Sequence, residues 1–210
     1  MWGCSEIGQD TIMPIVSTTR MTARQFAMLG EDPPGVRLEL VNGEIAVAPS
    51  ATPEHSNSDI ELIYLIKQHV NEHDLGIVFR DLDTPLDMFN VRRPDLLFFS
   101  HARAHLVTSK ALKGPPDLCV EIISPSSSTI DRVDKFEQYR AAGVPHYWIL
   151  DPLARLLEGF SLQDNLYVSS GEGRNHDVIT LPPFPKLKIP LSRLWWPVGL
   201  EKHLTPGKKN

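Results

Sequence analysis

"PDLCVEIISPSSS", residues 116–128, sets an acid, Glu121, inside an otherwise apolar strand. "RRPDLLFFS", residues 92–100, has the same Pro-Asp-Leu opening, with Asp95 directly before an apolar run. Strand alternation places Asp117, Cys119, Glu121 and Ile123 on one side and Leu118, Val120 and Ile122 on the other. A carboxylate buried there is costly unless it is paired or bound to a cation. Asp95, at the start of the neighbouring apolar strand, is the candidate to share a divalent ion with it. Two carboxylates on adjacent strands supply the oxygen ligands that Mg²⁺ prefers and leave positions for water and a substrate phosphate. The structural alternatives are a turn-capping acid at Asp95 and a salt-bridged core acid at Glu121.

Such a metal site also needs a cation to manage the attacking water and the developing charge. Lys135 lies on the segment "STIDRVDKFEQYRAAG", residues 128–143, which reads as a capped helix ending at Gly143. Asp131 and Tyr139 stand one turn to either side of it, so all three share a face. A structural Lys135–Asp131 pair is the plainer reading.

Working outward, "VRLELVNGEIAVAP", residues 36–49, alternates around Asn42-Gly43, so residues 36–41 and 44–48 should form an antiparallel hairpin. "STTRMTARQFAML", residues 17–29, reads as a short capped helix before it. "TPEHSNSDIELIYLIKQHVNEH", residues 52–73, offers Thr52 as N-cap and Pro53 at the first helical position. Apolar residues at 60, 63, 66 and 70 predict its core-facing stripe. "GIVFRDLDTPL" then predicts a strand and a turn, the Pro-Asp-Leu strands cover about 94–99 and 117–123, and "HYWILD" is a short strand. Beyond residue 152 further strands are expected, with a Gly-rich turn at "SSGEGRNH" and a Pro-rich tail at "LPPFPKLKIP". "LSRLWWP" is read as a cap on the core or a subunit contact.

The 210 residues and formal net charge of −5 fit one domain with no global attraction to polyanions, so nucleic-acid binding must rest on a local cluster of Lys and Arg. Arg92, Arg93, Lys110 and Lys113 are candidates for phosphate contacts, or a solvated rim. Residues 1–18 are expected to form a disordered extension, 19–197 the domain, and 198–210 a flexible tail. Two cysteines give no disulfide framework, no apolar run approaches a membrane span, and no basic start with an apolar signal core is present. A cytoplasmic protein without membrane contact is expected.

The stretches "PDLLFF", "PDLCVEIISPSSSTIDRVDKFEQYRAAGVPHYWILDP" and "LELVNGEIAVAPSATPEH" resemble the Uma-two endonuclease family, a bacterial branch of the PD-(D/E)XK nuclease superfamily, over approximately residues 20–195. The resemblance implies an α+β (α/β) fold: a restriction-endonuclease-like mixed β-sheet core flanked by helices, with the hairpin at its N-terminal side. It also implies Mg²⁺-dependent hydrolysis of DNA phosphodiester bonds, with Mn²⁺ as a substitute ion. By position Asp95 matches the superfamily's metal-binding aspartate and Glu121 the acid of its second half-motif. Ile123 stands where the superfamily's usual lysine would be, and Lys135 takes the place of a lysine moved to the next helix. His146 stands where family members often carry Glu.

Glu44 and His55 lie in segments that match the family pattern and are weighed as catalytic candidates beside their structural readings, an exposed strand acid and a helix-capping imidazole. The leading expectation is a DNA endonuclease whose ion is held by Asp95, Glu121 and the backbone carbonyl of Ile122, with Lys135 acting on the water or the transition-state charge. A nuclease that cuts both strands commonly works as a two-fold homodimer. The alternative is a catalytically inactive module that keeps the fold and binds nucleic acid or protein.

Overall fold

A computed structural model describes residues 20–48, 50–124 and 129–196. The expected N-terminal extension and the tail from residue 198 lie outside these, as does Ser128, the first residue of the segment expected to form the second long helix. Helix α1 (Ala23–Phe26) is short and closed by a reciprocal capping box between Thr22 and Gln25. Strands β1 (Leu38–Val41) and β2 (Glu44–Val47) form the predicted hairpin. Asn42 and Gly43, both at positive φ, make its turn. Helix α2 (Pro53–Glu72) starts as predicted, with Thr52 Oγ1 accepting the His55 amide and Pro at the first position.

Strands β3 (Gly76–Phe79), β4 (Thr84–Pro85), β5 (Val91–Arg92), β6 (Leu96–Ser100) and β7 (Leu118–Ile122) follow. A π-helical turn (Ile130–Lys135) then runs into helix α3 (Phe136–Ala141). Strands β8 (His146–Asp151), β9 (Leu156–Gln163), β10 (Leu166–Arg174), β11 (Val178–Leu181) and β12 (Phe184–Pro190) complete the described chain. The central sheet has the order β10-β9-β8-β7-β6-β3. Only β7 and β8 run parallel in it, joined by the α3 crossover, so the sheet is mixed. The hairpin belongs to a second sheet, β2-β1-β5-β4.

Because β7 is buried on both faces, its alternation feeds two cores. Leu118, Val120 and Ile122 pack with Leu62, Ile66 and Val70 of α2, while Cys119 and Ile123 pack with Tyr139 and Tyr147 on the α3 side. Helices therefore cover both faces of the sheet. The buried stripe of α2 is rotated from the predicted one: Leu62, Leu65, Ile66 and Val70 face the core, whereas Ile60 is exposed. The period was right, but the phase was set by Leu62 and Leu65, which the 60/63 stripe omits.

Two C-terminal expectations are corrected. The Gly-rich stretch is mostly strand β10, and its glycines serve close packing: a Cβ on Gly173 would lie 2.5 Å from Ile179 Cγ2, and one on Gly171 would lie 2.9 Å from Leu181 Cδ2. The Pro-rich "tail" is β12, paired with β11 over the sheet, where Phe184, Leu187 and Ile189 enter the main core. "LSRLWW" caps that core through buried Leu191, Leu194 and Trp195. Among the described residues no helix is long and apolar enough to cross a membrane.

Candidate active site

The antiparallel register of β6 and β7 pairs Leu96 with Val120, so one step further brings Asp95 alongside Glu121 on the α3 side of the sheet. Both are buried, at 8% and 2% relative exposure. They line one pocket of about 50 Å³ together with Arg37, Glu39, His55, Asp131 and Lys135. That volume holds a few water-sized groups.

Each acid is held by its own partners. Asp95 Oδ2 accepts the Ile122 amide at 2.8 Å and lies 3.2 Å from His55 Nε2. Burial pushes the Asp95 carboxyl up, but the His55 hydrogen bond and the nearby charges of His55 and Lys135 outweigh it, so it sits below the ordinary value. Glu121 Oε1 accepts the Tyr139 hydroxyl at 2.6 Å and Oε2 accepts Lys135 Nζ at 2.8 Å. Burial dominates at Glu121, whose carboxyl is pushed up to about 8. Lys135 Nζ also lies 3.0 Å from Asp131 Oδ1. Burial pulls the ammonium down, and Glu121, Asp131, Glu39 and Asp95 more than offset it, so Lys135 stays charged.

Local structure explains how α3 aims these groups. The π-helical turn brings Asp131 and Lys135 to the sheet side; such turns recur at functional sites. A Schellman closure, Val144 N–H to Tyr139 O and Gly143 N–H to Arg140 O, with Gly143 at φ +73°, fixes the end that carries Tyr139. Tyr147 anchors the start by donating to the Asp131 carbonyl at 2.9 Å.

The structure thus brings Asp95, Glu121, Ile122, Lys135 and His55 together. His55 bonds Asp95 through Nε2, which is a positioning contact, and its Nδ1 is buried without a hydrogen-bond partner among the described residues. Burial lowers the His55 pKa, but the bond to Asp95 reverses this and the net shift is upward. Glu44 is elsewhere: it is exposed in the edge strand β2 and does not line the pocket. His146, first residue of β8, contacts Ser161 Oγ at 3.1 Å and is also outside the pocket. Arg92 is neither rim nor phosphate contact, being buried and bonded to Glu39 Oε2 at 2.8 Å.

Glu39, Arg37 and Tyr139 were not singled out as site residues from sequence. Glu39 and Arg37 read as the polar side of an alternating hairpin. The signal for Glu39 lies in pairing: its Oε1 also accepts the Arg93 amide at 2.9 Å. Burial raises its carboxyl, and Lys135 and Arg92 bring it below the ordinary value. Among the described residues no group of three or more His, Cys, Asp and Glu forms a ready-made metal cluster.

A crystal structure of a protein described as "a putative nuclease belonging to DUF820 from Anabaena variabilis ATCC 29413" superposes with a TM-score of 0.68, covering 83% of this chain and 97% of that one at 20% identity. The likeness establishes a restriction-endonuclease-like fold, a mixed sheet flanked by helices. No curated protein matches the sequence. The model of the Uma2 family, described as "Putative restriction endonuclease", matches residues 23–192, and this chain belongs to that family.

Proposed function

We propose that the protein is a Mg²⁺-dependent endonuclease that hydrolyses DNA phosphodiester bonds, with Mn²⁺ able to replace Mg²⁺. The observation that carries this reading is the meeting of Asp95, Glu121 and Lys135 in one pocket of a chain from this family. The donors suit the ion: two buried carboxylates offer hard oxygens, and Asp95 is already oriented by Ile122 N–H and His55. Asp95, Glu121 and the Ile122 carbonyl would hold the ion, which when bound activates water and neutralises phosphate charge. Tyr139 fixes the Glu121 rotamer. Lys135, kept charged by four carboxylates, offers a preorganised cation to the negative charge that grows at phosphorus.

A second reading is favoured by two specific features. Lys135 Nζ already occupies Glu121 Oε2, and Ile123 replaces the usual lysine, as in a module that keeps the fold without the chemistry. Nicking of supercoiled plasmid decides between them. Mg²⁺-dependent nicking that EDTA abolishes supports the nuclease, whereas no nicking with either Mg²⁺ or Mn²⁺ on varied DNA supports the silent module.

A further inference from the structure

Arg37 stands just before β1 and extends its pairing with β2, its carbonyl accepting the Ala48 amide at 2.8 Å. Its side chain enters the wall of the Asp95–Glu121 pocket. The terminal nitrogen Nη2 is ion-paired with Asp81, which follows β3 at positive φ and is tied back by its amide to the Pro94 carbonyl at 3.2 Å. The guanidinium is thereby tethered at the pocket wall. Its Nε is fully buried and has no hydrogen-bond acceptor among the described residues.

The two neighbouring arginines differ. Arg92 donates from Nε to Gln138 and from Nη1 to Glu39, and Arg93 donates from Nε and Nη2 to Asp83 and from Nη1 to Asp32. Both are committed to protein partners. Arg37 alone of the three keeps a buried donor without an acceptor among the described residues, on a side chain that is otherwise 29% exposed. Buried N–H groups without acceptors are uncommon, and a guanidinium N–H is best satisfied by a carboxylate or phosphate oxygen. A phosphate oxygen entering the pocket would supply the acceptor that Nε lacks.

We propose that Arg37 is the phosphate-holding residue of the site, donating Nε–H to a non-bridging oxygen of a DNA phosphodiester while Asp81 holds the other end of the guanidinium. This rests on the nuclease reading. The test is equilibrium binding of a short DNA duplex, followed by fluorescence anisotropy in EDTA over a range of salt, so that no cleavage is needed. Arg37→Gln should weaken binding roughly tenfold or more, as expected for one charge-assisted bond. It should also flatten the slope of log affinity against log salt by about one. Arg37→Lys, which keeps the charge but lacks the Nε–H, should retain the slope and recover only part of the affinity; it also serves if the glutamine variant fails to fold. Unchanged affinity and slope in a folded variant overturn the Arg37 assignment while leaving cleavage by the wild type to stand. Absence of both binding and cleavage in the wild type overturns the nuclease reading, and this assignment with it.

Discussion

Lys135 Nζ lies 2.8 Å from Glu121 Oε2, a contact between π-helical turn and central strand at an acid with 2% exposure. The same ammonium meets Asp131 at 3.0 Å, so one lysine serves two buried carboxylates. It is therefore structural whatever its role in chemistry. Lys135→Ala should destabilise the fold by roughly 3–5 kcal/mol, since it strands buried charge. If the lysine also stabilises the transition state, turnover should fall by about 10² to 10³ with DNA affinity nearly unchanged. Urea unfolding and nicking kinetics on one sample check both; a stable variant with full turnover would remove Lys135 from the site.

Tyr139 tests how much the Glu121 rotamer matters. Tyr139→Phe keeps the ring packed against Tyr147 but removes the 2.6 Å bond to Oε1. A stability loss of about 1–2 kcal/mol is expected from the unsatisfied carboxylate. Turnover should fall less than in Lys135→Ala, and comparison of the two rates settles the order.

Glu39 and Glu44 separate a buried acid from an exposed one only five positions away. Glu39→Ala leaves the buried Arg92 guanidinium without its carboxylate and should cost roughly 3–5 kcal/mol. Glu44→Ala should stay within about 0.5 kcal/mol of wild type and cleave normally. Melting curves of both variants, with nicking for the second, provide the comparison.

Asp59 gives a pH signature on α2. It is 1% exposed, Oδ1 has no hydrogen-bond partner among the described residues, and Oδ2 pairs with Arg80 at 2.5 Å. Burial raises its carboxyl to about 6 against a lowering by Arg80. The folded state thus binds this proton more tightly than the unfolded chain. Its contribution to stability is complete below the unfolded pKa of about 3.9 and is lost as pH rises through 6. Asp59→Asn should accordingly gain on the order of 2–3 kcal/mol over wild type at pH 8 and little at pH 4. Equal gains at both pH values would show that burial of the charge is not the cause.

Much of the fold was legible because local signals were strong. Asn42-Gly43, the Thr52-Pro53 helix start and the apolar Pro-Asp-Leu strands each impose their structure within a few residues. Asp95, Glu121 and Lys135 were legible as ionisable groups at positions that strand and helix periods drive inward. What escaped depends on contacts distant in sequence. Glu39 is buried because Arg92, 53 residues later, meets it. Gly171 and Gly173 look like turn formers until the β11–β12 hairpin lies on them. Glu44 shares the family pattern of its segment, yet its place in an edge strand turns it to solvent.

The central claim is that Asp95 and Glu121 hold one divalent ion. Anomalous diffraction from a crystal soaked in Mn²⁺ tests it most directly. The account predicts a single strong peak between the two carboxylates, with oxygens of both at about 2.0–2.3 Å. A fully soaked crystal with no peak there, and Lys135 still paired to Glu121, would contradict it.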